Sequence, residues 1–162
     1  MLLARLIWLI ENHADSLTRS TLDDLQTNPR TRSFHAIARD EMQTRIYSLY
    51  RNLGHWIGTR DESRIEAEYL DLGRRRKADG MPLSELVYAI ILYKKHLREF
   101  IQDNTVLEAA SDRPEHGELL PVLLYEIQEL NYMVGHFFDA ALYHMARGYE
   151  QAAAAAPVPV AV

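Results

Sequence analysis

Apolar residues return every three or four positions along most of this chain. That is the 3.6-residue period of helices with one buried face. The longest run is Leu119 to Ala156, where Leu123, Ile127, Leu130, Val134, Phe137, Ala141, Met145 and Tyr149 form the stripe. At 1.5 Å per residue the run predicts a rod roughly 40–50 Å long. Such a rod outruns a compact domain of this size, so part of it is expected to project or to pair with another chain.

A first helix is predicted from about Leu2 to Leu25, with Leu3, Leu6, Ile7, Ile10, Ala14 and Leu17 inward and Asn28-Pro29 ending it. A second starts after Thr31 or Ser33 and carries Phe34, Ile37, Ala38, Met42, Ile46, Leu49, Leu53 and Trp56; Gly54 and Gly58 loosen its end. The third, about Asp61 to Ala78 with Thr59 or Asp61 as cap, has few apolar anchors (Ile65, Tyr69, Leu70, Leu72) and is expected outside the core. Gly80 suits a helix C-terminal cap and Pro82 the start of a fourth helix, about Pro82 to Gln102, the most apolar and so the central one. A polar connection follows, Asp103-Asn104 and then Ser111 to Gly117, with a short turn at Val106 to Ala110. Pro121 is tolerated in the first turn of the long last helix. The pattern predicts an all-α domain over residues 1–150, a bundle of five helices, and an Ala/Pro/Val-rich tail or linker over 151–162.

The 162 residues, 48% hydrophobic and 25% charged, suit one globular domain with a real core. A net charge of −5 gives no reason to expect nucleic acid or an anionic membrane as partner. Cysteine is absent, which excludes disulfides, thiolate metal sites and thiol nucleophiles and fits a reducing cytoplasm. Leu2 to Ile10 is apolar apart from Arg5, but Glu11, Asn12, His13 and Asp15 follow where a signal peptide would have small residues. The stretch is also far short of the ~20 residues that span a bilayer. It is expected to be a retained helix.

Of the seven histidines, none has an acidic residue three positions earlier and no two are four apart, so local di-iron and zinc-protease patterns are missing. His136 and His144 lie on the long helix with Asp139 one turn after His136, and His96 has Glu99 a turn later. These three are candidates for a ligand-contacting or pH-responsive role; the plainer reading is partly solvated imidazoles at helix boundaries. His96 on its apolar helix is also the one position where a haem ligand can be imagined. No Gly-x-Ser-x-Gly elbow or glycine-rich phosphate loop is present, and Glu62, Glu66 and Glu68 read as a solvated face. No catalytic residue, cofactor or metal is therefore predicted. Arg74-Arg75-Arg76-Lys77 is the one basic run. It complements a helix C-terminus, or docks an acidic partner through Arg74, Arg75 and Arg76. Trp8, Phe137, Phe138 and Tyr149 are candidates for a subunit interface or a pocket between helices.

The stretch from Tyr69 to Leu86 resembles the centre of the RsbRD N-terminal domain family, found at the front of RsbT co-antagonist proteins and some sensor kinases. Arg76, Gly80, Leu83, Glu85 and Leu86 occupy that family's recurrent places, ahead of a long apolar helix. The N-terminal helix with its Trp, and Phe137-Phe138-Asp139 leading to Gly148-Tyr149, are similar to the family as well, so the likeness spans roughly residues 3 to 150. It implies a helical sensory or regulatory domain, dimeric, globin-like in fold without haem, and passing a signal to another protein. The family's usual output domain is missing, so the expectation is either a separate regulator or a partner on another polypeptide. The leading expectation is a cytoplasmic, non-enzymatic signalling module that works as a homodimer. The alternative is a small-molecule or haem-binding sensor with a globin-like pocket.

Overall fold

The computed structural model describes residues 2–58, 61–111 and 119–154. Among them the chain is all-α, with no strand: α1 (Leu2–Asn12), α2 (Ala14–Thr27), a 3₁₀ turn (Arg32–Ala36), α3 (Arg39–Arg51), α4 (Leu53–Gly58), α5 (Ser63–Ala78), α6 (Leu83–Ser111) and α7 (Leu119–Ala154). The expected cap at Thr59, the connection around Pro114 and His116, and the tail from residue 155 on lie outside the described residues.

The five expected segments are helical, but two are broken, and at each break a side chain takes a carbonyl four residues back. Around His13, the Asn12 amide donates to the Trp8 carbonyl at 2.7 Å and His13 Nδ1 lies 2.9 Å from the Leu9 carbonyl. At Asn52, between α3 and α4, the amide donates to the Ser48 carbonyl at 2.8 Å. Side chains that take carbonyls four residues back compete with the helical ladder and bend it. The start of the second expected helix is not helical in the same sense. Phe34 lies in the 3₁₀ turn, and Ile37 and Ala38 are extended before α3 begins.

The fourth expected helix runs longer than its apolar stripe. The backbone of α6 continues to Ser111, through the residues expected to form a polar connection and a short turn. Within this stretch the Asn104 amide and the Thr105 hydroxyl donate to the Phe100 and Ile101 carbonyls. Gly80 closes α5 as expected: its φ is +75°, and the Met81 N–H reaches back to the Arg76 carbonyl at 3.0 Å. A non-glycine residue would be strained there.

The core is a single cluster centred on α6, whose Leu86, Ala89, Ile90, Leu92, Leu97 and Ile101 are buried. Leu6, Ile10, Leu17, Leu22 and Leu25 close it from α1 and α2, and Val134, Phe137, Phe138, Ala141 and Met145 from α7. The expectation that α5 lies outside the core does not hold, for α5 makes its most extensive contacts along α7. The reason is size rather than hydrophobicity. A Cβ on Gly73 would collide with the Met145 carbonyl, and one on Gly148 with the Leu70 carbonyl. Two glycines let the helix backbones touch where apolar anchors are few.

At 36 residues, α7 is roughly 54 Å long. From Pro121 to Glu129 it has no fully buried residue: Leu123 and Ile127 are half-buried against the core, and Val122, Leu124 and Tyr125 are exposed. No helix among the described residues is long and apolar enough to cross a membrane.

Candidate functional site

Helices α3 and α5 make little contact with each other. Each packs on other elements, α3 mainly on α2 and α5 on α7, which leaves a cleft between them. Its volume is about 680 Å³, within the ~300–1,000 Å³ common for small-molecule sites. One wall is the α3 face of Glu41, Met42, Thr44, Arg45, Ser48 and Leu49. The other is the α5 face of Glu68, Tyr69, Asp71, Leu72, Arg75 and Arg76. Leu86, Ala89, Ile90 and Tyr93 of α6 form the floor, with Trp56 of α4 and Met145 of α7 at the back.

Each wall follows from helical spacing. Met42, Arg45 and Leu49 sit three and four residues apart on one face of α3, and Tyr69, Leu72 and Arg76 repeat that spacing on α5. Behind the cleft an aromatic cluster holds the back wall. The Phe137 ring is 5.7 Å from Trp56, 6.1 Å from Tyr69 and 5.0 Å from Phe138, centroid to centroid. The floor is anchored by Tyr50, whose hydroxyl donates to the Tyr93 carbonyl at 3.0 Å and lies 2.9 Å from the Thr21 hydroxyl.

The charges at the cleft are graded by depth. The Arg76 side chain is 8% exposed and binds Asp79 at 3.1 Å and Glu41 at 3.4 Å. Arg45 is half-buried, with Glu41 as its carboxylate partner at a distant 3.9 Å. Arg75 binds Asp71 at 2.8 Å near the mouth. Burial lowers the Arg45 pKa, and the charges of Arg76 and Arg75 lower it further; a guanidinium nonetheless keeps its charge in proteins. Burial raises Tyr69, and pushes Tyr93 up to about 12 although Arg45 and Arg76 pull it back. Both phenols are therefore protonated donors at neutral pH.

The residues singled out in the sequence are dispersed. Arg74 is exposed and donates to Gln151 at 2.7 Å, Arg75 stands at the cleft mouth, and Arg76 is buried; the three do not present one surface. Trp8 is 58% exposed on α1, whereas Phe137 and Phe138 are core residues behind the cleft. Tyr149 is half-buried, donating to the Met81 carbonyl at 2.7 Å with Lys77 over its ring. His96 lies 2.8 Å from Asp24, between α6 and α2. His136 and His144 both face Glu62, each at 3.7 Å; His136 is exposed, and His144 is buried with its Nδ1 unpartnered.

No family model, curated protein or solved structure matches this chain.

None of the histidines lines the cleft. Haem would find no imidazole there, so the donor set does not fit an iron porphyrin held by histidine. Among the described residues no three His, Asp or Glu side chains gather as a metal-binding group. Sequence reasoning passed over Arg45 and Tyr93. The available signal was a cation in the apolar row Met42-x-x-Arg45-x-x-x-Leu49, where a solvated arginine is out of place.

Proposed function

We propose that this chain is a non-enzymatic regulatory domain that responds to a small ligand in the α3–α5 cleft and acts, as a homodimer, on another signalling protein. The cleft carries the reading: a roomy, mainly apolar cavity with a few convergent polar groups is the usual form of a ligand site. Its polar groups suit holding rather than reacting. Asp71 is paired with Arg75, Glu41 with Arg76, and Thr44 donates to the Asp40 carbonyl. No nucleophile stands beside a base among them. The likeness of residues 3 to 150 to the RsbRD N-terminal domains points the same way.

Filling the cleft tests this. Leu72→Trp, at a half-buried lining position, is expected to leave the fold intact and abolish any ligand-induced rise in melting temperature. A panel of apolar and amphipathic compounds, screened by thermal shift against both proteins, checks it. Compounds that stabilise wild type and variant alike would overturn the cleft as the site.

A further inference from the structure

We infer that the cleft selects an amphipathic carboxylic acid, its carboxylate on Arg45 with the Tyr69 and Tyr93 hydroxyls as further donors, and its hydrocarbon body against Met42, Leu49, Leu72 and Ile90. This rests on the reading of the cleft as a ligand site and names what enters it.

The first argument is where the charges sit. The deepest fixed charges are positive: the Arg76 side chain is 8% exposed and Arg45 31%, against 53% for Glu41 and 59% for Asp71. Carboxylates at the rim are solvated and already paired, so a ligand cation gains little from them. An anion reaching inward meets guanidinium groups in poorly screened surroundings.

The second argument is which cation is free to act. Arg75 has Asp71 at 2.8 Å, and Arg76 has Asp79 at 3.1 Å and Glu41 at 3.4 Å. Among the described residues Arg45 has only that same Glu41 oxygen, shared with Arg76, at 3.9 Å. Its depressed pKa records the same imbalance, since burial and two neighbouring guanidinium charges all act against its own charge. A bound carboxylate relieves that, and the planar guanidinium fork matches a carboxylate edge. One under-paired arginine fits a single negative charge better than a phosphate dianion.

The third argument is the tyrosines. Both phenols stay protonated, and among the described residues neither hydroxyl forms a hydrogen bond. They are donors with capacity to spare beside Arg45, whose charge acts on both. The lining is mainly apolar, with Met42, Leu49, Leu72, Leu86, Ile90 and Met145 among its residues, which suits a hydrocarbon chain or ring system better than a sugar or nucleotide.

Trp56 lines the cleft and supplies the readout. In a Trp8→Phe background it is the single remaining tryptophan, and the full chain is titrated with decanoate, decanol and decyltrimethylammonium. Decanoate is expected to change Trp56 emission saturably and raise the melting temperature, with decanol about ten-fold weaker and the ammonium ion without effect. Arg45→Met is expected to weaken decanoate about ten-fold and leave decanol unchanged. Tyr93→Phe, which keeps the ring, is expected to cost decanoate about five-fold and stands in should Arg45→Met fold poorly. Decanol binding as tightly as decanoate, with both variants neutral, would overturn the carboxylate and leave the cleft as an apolar site. No response to any of the three would overturn the carboxylate too, and a lack of stabilisation by every compound in the wider panel would take the cleft with it.

Discussion

Asp24, near the end of α2, ties three groups together. The Asn28 amide donates to its Oδ1 at 3.0 Å, and His96 Nε2 from α6 to its Oδ2 at 2.8 Å. A carboxylate only accepts, so the proton lies on His96 Nε2. Burial alone would raise the Asp24 pKa, but these hydrogen bonds and the charges of His96 and Lys95 outweigh it and hold the carboxyl below its usual range. A depressed folded-state pKa means that stability is present above the ordinary value of 3.8 and is lost as pH falls through the lower folded value. Asp24→Asn is therefore expected to cost about 1–2 kcal/mol at neutral pH, and little once the wild-type carboxyl is protonated. Urea unfolding of both proteins across the acid range checks this. A penalty that stays constant down to the acid limit would show that shape, not charge, makes Asp24 fit. His96, considered in the sequence for ligand contact, is on this evidence a clasp between α2 and α6.

The seam between α5 and α7 turns the same substitution in opposite directions. Alanine in place of a helical glycine gains about 0.5–1 kcal/mol of helix propensity where there is room. Gly135 on α7 has nothing within 4 Å of where its Cβ would stand, so Gly135→Ala is expected to stabilise by that amount. Gly73→Ala and Gly148→Ala drive a methyl into backbone, which cannot move aside as a side chain can. Each is expected to destabilise by about 2–3 kcal/mol despite the propensity gain. Thermal and urea melts of the three variants decide it; stabilisation at Gly73 would mean the helices are free to separate. This seam also shows how far the sequence could be read. Long stripes such as Leu86–Ile90–Leu97–Ile101 announce their helices because burial is periodic along one element. What two elements do to each other leaves no such period. The contact through Gly73 and Gly148 has no local signature, because each glycine alone reads as a spacer, and the cation in the apolar row of α3 marks Arg45 without showing that Tyr69 and Tyr93 stand across from it. The bends at Asn12 and Asn52 were legible only in hindsight, since an amide in a helix as often points to water.

The core buries one side of α7 and leaves the other bare. Val122, Tyr125, Glu129, Tyr132, His136 and Tyr143 fall at steps of three, four, three, four and seven, the spacing of a coiled-coil seam. Val122 is 53% exposed, and Tyr125, Tyr132 and Tyr143 are 65%, 69% and 61% exposed; the Tyr132 ring stacks on His136. A stripe with three tyrosines, roughly 30 Å long, is more than scattered exposure. Its two ends are alike, with tyrosines at both, so a second copy laid antiparallel meets a similar surface, as a two-fold interface requires. In the proposed homodimer the outer face of the first turns of α7, with Val122 and Tyr125 exposed in the single chain, is expected to gain cover from the partner. Light scattering should then give twice the chain mass at micromolar concentration. Tyr125→Glu with Tyr132→Glu should return a monomer, since buried charges would face each other across the axis. Because both side chains are exposed in the single chain, the monomer is expected to keep its helical content and its cleft. A wild-type chain that remains monomeric would remove the dimer from the proposed function without touching the ligand site, as the two lie on different faces of the helices that build them.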